Sequence, residues 1–239
     1  MSIYDILPIK DRISGNPYVG RGIVVGKSQN GKNAVICYFI MGRSENSRNR
    51  VFTIKDNNVY TEPFDVSKVE DPSLIIYSAV KNYENNLIVT NGDQTDTIYD
   101  FIKDGKSFED ALFTRCFEPD APNLTPRISG MLTFNNNDFS YKLGICKSID
   151  AEGSDTCRYF FNYPSKNGLG HFIHTYVTDG NPIPTFQGEP ERVAIYDDID
   201  VLTNEIWNNL DNQNKISLYV RYTNLETNEI TERLINKNK

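Results

Sequence analysis

The sequence predicts an α+β fold, a single domain built on largely antiparallel sheet. Three observations lead there. Short runs rich in β-branched and aromatic residues recur along the 239 residues, several joined by Asn- and Asp-rich turns of the hairpin type. Strands come in groups and helical periodicity comes in groups, which argues against a doubly wound parallel sheet. No Pro/Ser/Gly-rich linker and no internal repeat divides the chain.

The first hairpin pairs residues 21–27 with 34–41 across Asn30-Gly31, a strong turn signal between two β-rich runs. A second joins 51–55 to 59–62 around Asp56-Asn57-Asn58, and a third joins 74–80 to 87–90 around Glu84-Asn85-Asn86. The period then changes. Over residues 95–103, Ile98, Phe101 and Ile102 share one helical face, and Gly105 stops the helix. Ser107 can cap a second helix whose first turn carries Glu109 and Asp110, placed to favour the helix dipole. Strands return at 128–134, 139–147, 157–163 and 172–177. A helix over 197–209 sets Ile199, Leu202, Ile206 and Leu210 on one stripe, and strands at 216–222 and 229–234 close the chain.

The net charge of −7 is unevenly spread: residues 1–60 hold nine Lys and Arg against four Asp and Glu, the remainder 16 against 28. Nucleic acid as main partner is excluded, because backbone binding needs a broad basic surface. A small anion held by the basic quarter fits. No apolar run approaches the roughly 18 residues of a bilayer span, and the first residues are too acidic and too short in apolar length for a signal peptide. The expectation is a cytoplasmic protein with no membrane partner. Cys37, Cys116, Cys146 and Cys157 form no CxxC pair. His171 and His174, three apart on a strand, face opposite sides, so neither a metal nor another cofactor is expected.

Five segments carry chemistry. Gly20-Arg21-Gly22 opens a strand with an arginine between two glycines. The run from Met41 to Arg50 follows an apolar strand and holds Arg43, Arg48 and Arg50 beside Ser44, Asn46 and Ser47. Arginine grips phosphate through planar, charge-assisted hydrogen bonds, and the densest basic cluster of an acidic chain sits here. Asn91-Gly92-Asp93 ends a strand and opens a helix, whose free N–H groups suit an anion or polar ligand, with Asp93 also a helix cap. The run from Phe117 to Ile128 is stiffened by three prolines and bears Glu118, Asp120, Asn123, Thr125 and Arg127. The fifth holds the two histidines. Each of these also reads as an ordinary surface loop or linker.

Taken together, the stretch from Tyr38 to Arg50, Asn91-Gly92-Asp93-Gln94-Thr95-Asp96 and Asn123-Leu124-Thr125-Pro126-Arg127-Ile128 resemble the archaeal-type inosine monophosphate (IMP) cyclohydrolases. That family shows Ser-x-Arg-Ser…Asn-Arg after an early strand, Asn-Gly-x-x-x-Asp before a helix and Asn-Thr-Pro-Arg-Ile at the following strand, in the same order. The match covers roughly residues 18 to 145, with a looser echo to about 190; residues 190–239 diverge. The resemblance implies a four-layer αββα sandwich similar to the N-terminal nucleophile hydrolases, without a terminal nucleophile. It also implies intramolecular ring closure of 5-formamidoimidazole-4-carboxamide ribonucleotide to IMP with loss of water, the last step of purine synthesis, in a homo-oligomer. Arg43 matches the first arginine of the family's early motif, Tyr77 and Glu118 resemble a tyrosine and a glutamate of its later ones, and the three are the catalytic candidates: Arg43 and Tyr77 for oxyanion stabilisation and proton transfer, Glu118 as proton acceptor. Arg21, Ser44, Arg48, Arg50, Asn91, Gly92, Asp93, Thr125 and Arg127 are the substrate-binding candidates. The early loop is longer here, with Glu45-Asn46-Ser47-Arg48, and Leu124 is inserted between Asn123 and Thr125.

Two other classes stay open on the residues alone. One is a purine-nucleotide-binding paralogue without catalysis, which the altered early loop permits. The other is an amidohydrolase with a terminal nucleophile, for which Ser2 would have to begin the first core strand.

Overall fold

The computed structural model describes residues 2, 4–69 and 76–238. In chain order its elements are α1 (Lys10–Ile13), β1 (Arg21–Lys27), β2 (Asn33–Met41), α2 (Glu45–Arg48), β3 (Arg50–Lys55), β4 (Asn58–Pro63), β5 (Tyr77–Tyr83), β6 (Asn86–Thr90), α3 (Gln94–Lys103), α4 (Phe108–Phe113), β7 (Arg127–Asn135), β8 (Asp138–Ser148), β9 (Thr156–Pro164), β10 (Leu169–His174), β11 (Glu191–Ala194), α5 (Ile199–Asn209), β12 (Lys215–Asn224) and β13 (Ile230–Asn236). They form two antiparallel sheets, one of six strands in the order β11-β10-β1-β2-β12-β13 and one seven-stranded meander from β3 to β9.

The hairpins follow from their turn residues. Asp56 and Asn57 adopt φ of 51° and 59°, and Asn136 and Asn137 adopt 43° and 58°. Asn and Asp tolerate that left-handed region, and two such residues in succession twist a hairpin in the same sense as its strands. At α4, Ser107 Oγ accepts from the Asp110 amide while the Asp110 carboxylate accepts from the Ser107 amide, a reciprocal cap.

Three apolar clusters hold the elements together. Between the sheets lie Ile23, Val25, Ile36 and Tyr38 from one side and Phe52, Val89, Ile128 and Leu143 from the other. On the outer face of the six-stranded sheet, Val24, Val35, Phe39 and Val220 pack with Leu202 and Ile206 of α5 and Ile9 and Ile13 near α1. On the outer face of the other sheet, Ile88, Met131 and Cys146 meet Ile98 of α3 and Phe108 and Leu112 of α4. Strand alternation sends one parity of each strand to each cluster. The Asn236 side-chain amide accepts from the Phe52 N–H at 2.9 Å and donates to the Phe52 carbonyl at 3.0 Å, tying edge strand β13 to edge strand β3.

Most expected elements are present with shifted ends. The strand expected at 172–177 stops at His174, and Leu74 and Ile75 of the expected 74–80 strand lie outside the described residues. α1, α2 and β11 were not expected, since each has only four residues and shows no readable period. The divergent segment is integral: β11, α5, β12 and β13 come from it, and β12 lies directly beside β2. Among the described residues no helix is long and apolar enough to cross a membrane.

Candidate active site

Charged side chains collect at one end of the stacked sheets, where β1, β3, β5 and β7 begin and β2, β6 and β10 end. Arg21 shares parity with Ile23 and Val25, Arg50 with Phe52, Tyr38 with Ile36 and Ile40, and Tyr77 with Ala79. All four side chains therefore point into the space between the sheets. Glu118 joins them from the loop after α4, held by its amide to the Thr125 carbonyl at 2.9 Å.

Arg21 and Glu118 are the centre of this cluster. Arg21 Nη2 lies 4.0 Å from Glu118 Oε2, with 12% and 8% of the two side chains exposed. That separation exceeds hydrogen-bond length, and the buried Arg21 Nε has no hydrogen-bond partner among the described residues. A buried guanidinium whose donors the facing carboxylate does not satisfy is a costly arrangement unless a further acceptor meets them. Burial pushes the Glu118 carboxyl above its ordinary value of 4.5, against the opposing pull of Arg21 and then Arg127. Burial also works against the Arg21 charge, but Glu118 and the phenols of Tyr18, Tyr176 and Tyr77 outweigh it and hold the pKa above the usual arginine range. Arg50, 2% exposed, is pulled the other way by burial and by its neighbour Arg21. The Tyr38 and Tyr77 hydroxyls are bonded to each other at 2.7 Å.

A cavity of about 200 Å³ opens over Arg21, lined also by Tyr18, Arg43, Ser44, Ser47, Asn123 and Tyr176. The Tyr18 and Tyr176 rings stack at 5.7 Å, and the Arg43 guanidinium lies 5.3 Å above the Tyr18 ring. Arg43 is bonded to Asp179 and, at 2.8 Å, to the Gly180 carbonyl. Thr125 meets both Asp120 and the Tyr176 hydroxyl, which locks the proline-rich loop against the wall of the cavity.

The expected site residues divide by place. Arg21, Arg43, Ser44 and Thr125 line the cavity. Tyr77 and Glu118, each 6% exposed, stand behind Arg21 with Arg50. Arg127 has the parity of Met131 and lies on the outer side of its sheet, where it bonds Asp93 at 2.7 Å and Gln94 at 2.9 Å. Asp93 makes no helix-capping bond; its carboxylate bridges Arg127 and Arg115. Asn91 donates to the Pro126 carbonyl and accepts from the Ile128 amide and Gln94, so its amide fastens β6 to β7. Gly92 leaves room for Arg127, whose Nη1 would sit 2.6 Å from an added Cβ. Arg48 bonds the Gly42 carbonyl and Asn214, and Arg50 bonds the Ser47 carbonyl at 2.7 Å; both brace the early loop, which α2 folds over the cavity.

Sequence reasoning missed Tyr18, Tyr38, Tyr176 and Asp179 as site residues. Tyr38 carried one readable signal, a hydroxyl at an inward position of an otherwise apolar strand. Gly20 explains how Arg21 is aimed. It has φ of +78°, and a Cβ there would lie 2.1 Å from Thr175 Oγ1 and 2.6 Å from the Tyr176 ring. Gly20→Ala is expected to cost about 1–3 kcal/mol in denaturant unfolding and to lower activity with it. Wild-type stability in that variant would show that the backbone there is free to move.

A family model for "IMP cyclohydrolase-like protein" matches residues 18–228. An IMP cyclohydrolase of Methanococcus aeolicus is 32% identical over 163 residues, covering 66% of this chain and 74% of that protein. One of Methanocaldococcus jannaschii is 31% identical over 185 residues, covering 75% and 85%. One of Methanococcus maripaludis is 37% identical over 129 residues, a match spanning 62% of its length and 52% of this chain.

Proposed function

The chain belongs to the IMP cyclohydrolase-like family, and from that premise we infer that it closes the six-membered ring of IMP on 5-formamidoimidazole-4-carboxamide ribonucleotide. The observation that carries this reading is the buried, under-bonded Arg21–Glu118 pair beside Tyr77, at the foot of a cavity rimmed by Arg43, Ser44 and Ser47. The three apolar clusters support the four-layer αββα arrangement similar to the N-terminal nucleophile hydrolases. No terminal nucleophile is called on: β1 opens with Arg21, and Ser2 is exposed. The edge of the nine-residue strand β9, which no other strand pairs among the described residues, supports a homo-oligomer, and a biosynthetic role in the cytoplasm accompanies the reaction.

The chemistry assigns roles by position. The carboxamide nitrogen attacks the formyl carbon; one of its protons passes to Glu118 while the formyl oxygen takes the Tyr77 proton, with Arg21 facing the charge that develops there. Elimination then reverses both transfers. Protonated Glu118 returns its proton to the departing hydroxyl, which leaves as water, and the Tyr77 oxygen takes the proton of the former formamido nitrogen. Holding the two reacting groups together supplies much of the rate. Arg43, at the exposed mouth rather than beside Tyr77, is assigned to the 5′-phosphate with Ser44 and Ser47, and Asn123 to the ribose. Arg50 supports the inner charge balance, and Arg127 acts on Glu118 from the outer side of its sheet. The steps as written call on no metal and no redox group.

Substrate carrying heavy oxygen in its formyl group is expected to give IMP free of label, by mass spectrometry. Label kept in IMP would mean that the carboxamide oxygen leaves instead, and the roles of Tyr77 and Arg21 would fall. The cavity is smaller than the roughly 300–1,000 Å³ of typical ligand pockets, and release of Arg43 from Asp179 would widen its mouth for the nucleotide. An exposed ion pair is worth about 0.2–1 kcal/mol. Asp179→Asn is thus expected to lower KM by up to about fivefold with kcat unchanged. A raised KM would place Asp179 in contact with substrate.

A further inference from the structure

The geometry points to Tyr38 as a positioning residue for ring closure: its hydroxyl donates to the Tyr77 oxygen and so turns the Tyr77 proton toward the substrate. This rests on the cyclohydrolase reading and adds to it a residue that makes no contact with the reacting atoms. Tyr38 is fully buried in the inter-sheet core, its ring stacked on Phe52 at 5.3 Å. Among the described residues its hydroxyl has one hydrogen-bond partner, the Tyr77 hydroxyl at 2.7 Å. Two phenols share that contact, so one proton lies in it and the other must point elsewhere.

The surroundings decide which. If Tyr77 donated, the free proton would sit on Tyr38, which has no exposure at all and whose charged neighbours Arg21 and Arg50 cannot accept it, so the donor would carry a desolvation penalty. If Tyr38 donates, the free proton belongs to Tyr77, the member of the pair at 6% exposure rather than none. Both phenols lie within electrostatic reach of Arg21, and Tyr77 stands behind that cavity-lining arginine. The second arrangement puts the free proton on the less buried of the two phenols, where an entering substrate can accept it.

The bond matters most once the reaction starts. When the carboxamide nitrogen bonds to the formyl carbon, the formyl C=O electron pair moves to oxygen and takes the Tyr77 proton. Negative charge is left on the Tyr77 oxygen, and the Tyr38 O–H then becomes a charge-assisted donor to it. An interaction stronger in the transition state than in the ground state raises kcat and leaves substrate binding nearly unchanged. On elimination Tyr77 recovers a proton from the ring nitrogen and the pair returns to its starting state.

A double-mutant cycle tests this. Tyr38→Phe keeps the ring and removes the bond. In the wild-type background it is expected to lower kcat by about ten- to a hundredfold, with KM within about twofold. In the Tyr77→Phe background the same change is expected to cost less than about twofold, since Tyr38 acts through Tyr77. Fluorotyrosine at position 38 keeps the donor and is expected to restore turnover, which also separates lost chemistry from lost folding. Equal losses in both backgrounds, an unchanged kcat for Tyr38→Phe, or no rescue by fluorotyrosine overturns the role of Tyr38. Absence of IMP formation by the wild-type protein overturns the cyclohydrolase reading instead.

Discussion

Glu118→Gln is expected to lower kcat by about a hundred- to ten-thousandfold, the range for losing a positioned acid–base group, while KM stays near its wild-type value. Glutamine keeps the shape and the hydrogen-bonding capacity but cannot take the carboxamide proton. The pH profile gives a second readout. Glu118 works as a base only when ionised, so activity is lost as pH falls through its pKa and is regained as pH rises. Burial sets that pKa above the ordinary 4.5. The acid limb of kcat/KM should therefore fall at a higher pH than a surface glutamate would give, and it should be absent from the residual activity of the variant. A variant retaining more than about a tenth of wild-type turnover, or one with the acid limb in place, would remove Glu118 from the proton path.

Arg21→Lys should be nearly as severe, lowering kcat by about a hundred- to a thousandfold, the usual cost of one lost oxyanion donor. The substitution keeps the positive charge beside Glu118 and so keeps most of the electrostatic balance of the cluster. It removes the planar fork, whose buried Nε has no hydrogen-bond partner among the described residues. IMP should still raise the melting temperature of the variant, because the proposed phosphate contacts are made by other residues of the cavity, Arg43, Ser44 and Ser47. Turnover within about threefold of wild type would show that charge alone, without geometry, is what this position supplies.

The sheets were legible because their signals are local. Turn residues such as Asp56-Asn57 and Asn136-Asn137, and the alternation of strands like β1 and β2, depend on a few neighbouring residues. The order of strands was not legible. Nothing local tells β1 to lie between β2 and β10, or β12 to insert between β2 and β13. The site was half legible for the same reason. Arg21, Arg43, Tyr77 and Glu118 stood in recognisable motifs, but their depths did not. Arg21 and Arg43 look alike on the page, yet one lies between the sheets at 12% side-chain exposure and the other rims the mouth at 34%. Asn91 and Gly92 looked like ligand contacts because an Asn-Gly pair before a helix suits that role. The fold uses them instead to fasten β7 and to make room for Arg127. Tyr38 went unnoticed because a tyrosine among Cys37 and Phe39 reads as core until its hydroxyl is seen to touch Tyr77.

Ring closure at Arg21, Tyr77 and Glu118 is tested most directly by turnover of 5-formamidoimidazole-4-carboxamide ribonucleotide by the purified wild-type protein, followed by absorbance. Stoichiometric conversion to IMP at a rate proportional to enzyme concentration is expected. Stabilisation by IMP in a thermal melt, with no conversion of the formamido substrate above the uncatalysed rate, would contradict it and mark the chain as a nucleotide-binding relative without catalysis.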